Sequence, residues 1–274
     1  MSSTLSQIVC SLFLILFISC SPEPSKSSST QTTQTPPATL TVAVAANMQF
    51  AMEEIKVLFE KKFNIPLNLV FSSSGKITTQ IINGAPYDLF LSADMKYPET
   101  LQKEGFADAP KVYVHGVLIV WTVDENIDFA NDLNSLLEEK IQKIAIANPT
   151  HAPYGIAAIE VLKAKNLYDQ VQSKIVMGES ISQVNQYVTM KTVAAGFTTK
   201  SVLFSPEVTE KGKFIEIDPS LYTPILQGVS MLKYGKTQHA QETQQLYQFL
   251  FEKESTDILE KYGYQIPDHL KKNH

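Results

Sequence analysis

The chain has 274 residues, 44% of them hydrophobic and 19% charged, which suits one or two globular domains with a sizeable core. Its formal charge of -5 argues against a surface built for nucleic acid, which needs a basic patch. All 23 basic residues are Lys and none is Arg, so no ligand can be gripped by a planar, bidentate guanidinium clamp.

The first strongly apolar run covers residues 8–18. It is too short to cross a bilayer comfortably and suits the hydrophobic region of a signal peptide, expected over 1–19. Phe17-Ile18-Ser19-Cys20 resembles a lipobox in which Cys20 is lipidated and becomes the mature N-terminus. Phe17 stands where Leu is usual, and residues 1–7 carry no basic side chain. Both cysteines, Cys10 and Cys20, lie in this leader, so the remaining chain can form no disulfide and perform no thiolate chemistry. Residues 20–38, rich in Ser, Thr, Gln and Pro, have almost nothing to bury and are expected to tether a folded body that starts at Thr39.

From Leu40 the pattern alternates between strand and helix. A β-branched run over 40–45 leads through Asn47, as a cap, into helical spacing over 48–63. A second strand over 67–71 leads through Ser72-Ser73-Ser74 into a short helix that Gly84 stops. Strands are expected over 88–92 and over 112–122, the latter long enough to cross between lobes. A strand over 144–147 precedes the helix opened by Ala152-Pro153-Tyr154-Gly155. Another over 174–177 precedes the helix opened by Gly178-Glu179-Ser180-Ile181. A strand over 193–199 and closing helices over 237–262 complete an α/β pattern that favours mostly parallel sheets.

In open α/β sheets, ligands collect where strand ends meet helix N-termini, which present unpaired N–H groups and the positive end of the helix dipole. Four such junctions carry Asn47, Ser74, Tyr154 and Ile181. Backbone N–H groups with neutral hydroxyl or amide donors can hold a dianion there without any Lys or Arg.

At these residues the chain resembles the molybdate-binding protein family, the extracytoplasmic component of molybdate ABC transporters. The resemblance rests on Val44-Ala45-Ala46-Asn47, on Ser73-Ser74-Gly75-Lys76 with Gln80-Ile81, on the run from Asn83-Gly84-Ala85-Pro86 to Ser92-Ala93-Asp94, and on Ala152-Pro153-Tyr154-Gly155. It covers the body from Leu40 to Tyr264. It implies a type II periplasmic-binding-protein fold with two α/β lobes joined by two crossover strands, near 117–122 and 222–229. Lobe I would comprise 39–118 plus 227–274, and lobe II 119–226.

The resemblance further implies that Asn47 and Ser74 contact the anion, that Tyr154 offers its N–H and its ring hydroxyl, and that Ile181 offers its N–H. Thr199 stands where some relatives have Tyr, so it keeps a hydroxyl of shorter reach. The implied ligand is molybdate or tungstate, with no cofactor, no enzymatic activity and an ABC transporter permease as partner. The implied form is a monomer held by its lipid anchor outside the cytoplasmic membrane. A site made only of donors disfavours hydrogen phosphate, whose proton needs an acceptor.

Two other readings compete. One keeps the fold and changes the ligand to sulfate, phosphate or a small organic acid; the lack of Arg weighs against the acid. The other is a lipid-anchored hydrolase, but no Gly-x-Ser-x-Gly elbow frames Ser72-Ser73-Ser74 and no His is tied to it by motif. The five His show no metal-ligand spacing, and His151 reads as an exposed loop residue near the cleft. Asp88 and Asp94 flank one strand and read as structural.

Overall fold

The computed structural model describes residues 38–129, 132–206, 208 and 211–271; the expected signal peptide, Cys20 and nearly all of the expected tether lie outside them. Leu40 to Ala45 are Leu, Thr, Val, Ala, Val, Ala, apolar at five of six positions, a run that suits a strand covered on both faces. This strand, β1 (Leu40–Ala45), is followed by α1 (Gln49–Phe63), β2 (Leu67–Ser72), α2 (Ser74–Ile82), β3 (Leu89–Leu91), α3 (Lys96–Lys103) and β4 (Lys111–Gly116). The chain then builds β5 (Leu118–Thr122), β6 (Ile144–Ala147), α4 (Pro153–Ala164), α5 (Tyr168–Val171), β7 (Ile175–Gly178), α6 (Ile181–Thr189), β8 (Ala195–Thr199) and β9 (Lys213–Glu216). It returns through β10 (Ile225–Met231) and closes with α7 (Lys233–Gln238), α8 (Ala240–Phe249), α9 (Lys253–Lys261) and α10 (Asp268–Lys271).

Two five-stranded sheets result, ordered β2-β1-β3-β10-β4 and β7-β6-β8-β5-β9. Each is the centre of an α/β lobe, and both follow one plan. In the first, β1 pairs in parallel with β2 and β3, while β10 pairs antiparallel with β3 and β4. In the second, β6 pairs in parallel with β7 and β8, while β5 pairs antiparallel with β8 and β9. The expectation of mostly parallel sheets is corrected to mixed ones for a topological reason. β5 and β10 arrive from the other lobe rather than through a right-handed βαβ unit, so each enters against its neighbours.

The single strand expected over 112–122 is two strands in different sheets, parted at Val117. The chain passes back through 217–224. The hydroxyl of Tyr222 in this return segment accepts from the Leu118 N–H at 3.4 Å, which ties the two passages together. Asn47 is not a helix cap: it lies inside a 3-10 turn (Ala46–Met48) that precedes α1, and its side chain is used elsewhere. β9 escapes the sequence pattern because it is a four-residue edge strand with an exposed Phe214.

Aliphatic side chains from both sheets and their helices form the main core, with a smaller cluster of Ala43, Ile77, Ile81, Phe90, Leu101 and Leu232 on the other face of the first sheet. The closing helices dock by aromatic packing, Phe59 of α1 lying 5.5 Å from Phe249 of α8 between ring centroids. Among the described residues no helix is long and apolar enough to cross a membrane.

Candidate anion-binding site

The ends of β1, β2, β6 and β7 point toward the boundary between the lobes, and each leads into the next helical turn, directly after β1, with at most two residues between after β2 and β7, and through residues 148–152 after β6. These four starts surround a small cavity lined by Ala45, Ala46, Asn47, Ser73, Ser74, Ala93, Ala152, Pro153, Tyr154 and Ile181. Among these residues only Tyr154 carries a titratable side chain. Ser74 and Ile181 are the first residues of α2 and α6, and Tyr154 is the second of α4 after Pro153. At these positions the helix ladder supplies no acceptor for the N–H. Asn47 stands likewise in the first turn after β1. Two helical starts come from each lobe, so their dipoles converge on one point from both sides.

The hydroxyls sharpen this picture. Ser74 accepts the Ala93 N–H at 2.9 Å, which leaves its own hydrogen to donate. Ser73 precedes α2 but makes no side-chain cap bond, and its buried hydroxyl has no partner. An unpaired buried hydroxyl is costly unless a ligand meets it. The Ser72-Ser73-Ser74 run is visible in the sequence, but which serine turns inward is set by the packing of α2 against β1.

Four of the expected contacts therefore gather at one cavity: Asn47, Ser74, Tyr154 and Ile181. Thr199 is placed differently. It lies behind the cavity wall, where it accepts the Tyr154 hydroxyl at 3.2 Å. The Tyr154 hydroxyl, expected at the anion, points away from the cavity and also accepts from Gln227 at 3.3 Å, leaving only the N–H in a position to face a ligand. The Asn47 amide turns away too, donating to the Gln227 carbonyl at 2.9 Å and to the Tyr264 hydroxyl at 3.4 Å. The Asn47 carbonyl accepts from Ser201 at 3.0 Å and from Tyr264. Burial pushes the Tyr264 hydroxyl up to about 12 and the Tyr154 hydroxyl well above its ordinary range, so both remain protonated donors at any working pH.

The lobes meet over the cavity. Gly75 N–H donates to the His151 carbonyl at 3.0 Å, Tyr97 donates to the Thr150 carbonyl at 3.3 Å, and Ser182 of α6 donates to Gln49 of α1 at 3.1 Å. His151 thus sits in the seam between lobes rather than on an exposed loop. At the rim, Glu179 pairs with Lys76 across the seam, and His151 Nε2 lies 3.5 Å from the same carboxylate. The hydrogen bond and charge of Lys76 hold the Glu179 carboxyl below its usual range. Glu179→Gln is expected to weaken ligand affinity less than about fivefold, as an exposed pair should, with the difference vanishing at high salt. Because the closed state depresses this pKa, the wild-type advantage is full above the ordinary glutamate range and fades as pH falls through the depressed value. Titrations at several pH and salt values measure both trends.

The two flanking aspartates do not converge. Asp88 accepts the Thr41 N–H at 2.6 Å and lies 2.8 Å from His239 Nδ1 at one end of β3. Asp94, at the other end, accepts from Ser92 and from the Tyr97 N–H, both at 3.2 Å. Among the described residues no group of three or more His, Asp or Glu could hold a metal cation.

The sequence profile described as bacterial extracellular solute-binding protein matches residues 40–265. The chain is 35% identical over 225 residues to the molybdate-binding protein ModA of Rhodobacter capsulatus, spanning 81% of this chain and 86% of that one. It is also 35% identical over 226 residues to the molybdate-binding protein ModA of Azotobacter vinelandii, spanning 81% and 88%. Among solved structures, the periplasmic molybdate-binding protein of Azotobacter vinelandii matches with a TM-score of 0.78 at 29% identity, over 84% of this chain and 100% of that chain.

Proposed function

The chain belongs to the bacterial extracellular solute-binding protein family, and from that premise we propose that it captures molybdate, with tungstate as an equivalent ligand, and delivers it to the permease of an ABC transporter. The observation that carries this reading is the cavity itself: four helical starts converge on it and no carboxylate lines it. Such a site offers N–H and O–H donors and no charged acceptor. Asn47, Ser74, Tyr154 and Ile181 supply backbone N–H groups, and Ser73 and Ser74 supply hydroxyls. Each bond to a full anion contributes about 1.5–3 kcal/mol, and exclusion of water by the closed lobes strengthens all of them. Molybdate and tungstate are fully deprotonated at neutral pH and want donors alone, whereas hydrogen phosphate would bring a proton for which no carboxylate stands ready in the lining.

The protein acts by binding rather than catalysis: the lobes close because the anion touches both and favours the closed form by its differential affinity. Lipidation at Cys20, with residues 20–38 as a tether, would keep the monomeric receptor beside its permease on the outer side of the cytoplasmic membrane. A ligand that binds only the native state at a thousandfold excess over its dissociation constant adds about 4 kcal/mol, a rise of roughly 8–16 °C in Tm. Thermal unfolding should show that rise with molybdate and tungstate and none with phosphate, and Ser74→Ala should reduce it. No rise with any oxyanion would refute the reading.

A further inference from the structure

A directed chain of hydrogen bonds runs beneath the cavity from one lobe to the other. The Asn47 amide donates to Gln227, the Gln227 amide donates to Tyr154, and Tyr154 donates to Thr199. Asn47 and Gln227 belong to the first lobe, Tyr154 and Thr199 to the second, and Gln227 is fully buried. Two backbone features bring the links together. The β10–β4 register shifts at Gln227/Gly228, a bulge of the kind that re-aims a side chain beside a functional site. Gly116, the last residue of β4 before the passage at Val117, leaves open the space where the chain crosses. A Cβ there would overlap the Tyr154 hydroxyl and lie 2.8 Å from Gln227 Nε2.

Both ends of the Gln227 link are residues whose backbone N–H groups sit at the cavity. We propose that Gln227 is the positioning residue of the site: its amide locks Asn47 and Tyr154 into the orientation that presents both N–H groups to one oxyanion in the closed form. The inference rests on the oxyanion-receptor reading. When the lobes part, water can reach both partners of Gln227, so the loss of this link falls on the closed, ligand-bound state and little on the open one. The effect belongs in the dissociation rate, since the chain completes only after the lobes meet.

The test is a double-mutant cycle on the full chain with Gln227→Met, which keeps the volume, and Tyr154→Phe, which keeps the N–H and breaks the same chain one link on. Molybdate affinity and dissociation rate are read for each, with ligand-free Tm as the control for folding. Each single variant is expected to bind about tenfold more weakly, by faster release, at a ligand-free Tm within a few degrees of wild type. The double variant should be no more than about threefold weaker than either single one, because the chain breaks only once. Should Gln227→Met fail to fold, Tyr154→Phe alone carries the test by the same affinity and release criteria. Affinity within twofold of wild type, or fully additive losses, overturns the proposal. A wild-type chain that binds no oxyanion overturns the receptor reading and this proposal with it, whereas normal wild-type binding with an indifferent Gln227→Met overturns this proposal alone.

Discussion

Gly75→Ala is expected to weaken oxyanion binding by about a hundredfold or more while leaving the ligand-free chain as stable as wild type. Gly75 is the second residue of α2, and in the closed structure a Cβ there would lie 2.6 Å from His151 Cβ, 2.7 Å from the Tyr97 hydroxyl and 2.9 Å from His151 Cα. The tyrosine tip can swing aside. The backbone at His151 belongs to the other lobe and is held by the bond that its own carbonyl accepts from Gly75. Relief therefore requires the lobes to part, which removes half of the donors from the anion. In the open form the clash is gone, and Ala favours the helix over Gly by up to about 1 kcal/mol. The signature is a split, with affinity falling and ligand-free Tm steady or slightly raised, read by calorimetric titration beside thermal unfolding. A parallel fall in both would show that the clash is internal to one lobe.

Gly155→Ala is expected to give that second outcome. Its Cβ would overlap the Ala147 carbonyl oxygen and lie 2.8 Å from the Ala147 carbonyl carbon. Both groups belong to the second lobe, where the start of α4 is laid against the end of β6, so no lobe motion relieves the contact. The expected cost is about 3 kcal/mol or more, a loss of roughly 6–12 °C in Tm with or without ligand. Circular-dichroism melts of the ligand-free chain measure it, and a Tm unchanged from wild type would show that α4 can lift off β6 freely. The two glycines both lie in the first turn of a helix and look alike in the sequence; which side of the cleft each one faces separates their roles.

The strand-to-helix junctions are readable from local pattern because each rests on residues within one turn: Pro153 at a helix start, Ser180 accepting the Gln183 N–H as a cap, Gly84 ending α2 at positive φ. Such local signals suffice to place Ser74, Tyr154 and Ile181 at helical starts. They do not give the direction in which a side chain turns. The Tyr154 hydroxyl and the Asn47 amide are drawn away from the cavity by Gln227, which lies 180 positions from Asn47 and is aimed by a bulge. Nothing near Gln227 in the sequence marks it, and the same holds for Tyr264, whose hydroxyl reaches the Asn47 carbonyl across 217 positions. The break at Val117 is hidden for a related reason. Residues 112–122 read as one apolar run, and only the sheet pairing shows that the chain leaves one sheet for the other at Val117, beside a Gly116 whose Cβ position is taken up by Tyr154 and Gln227.

The central claim is that neutral donors at four helix starts, two from each lobe, capture a fully deprotonated tetrahedral oxyanion. Equilibrium dialysis of the protein against molybdate, with the metal quantified and with excess sulfate or phosphate present as competitor, tests it most directly. The account predicts one molybdate retained per chain, displaced by tungstate and not by phosphate. Retention of none, or ready displacement by phosphate, would contradict it.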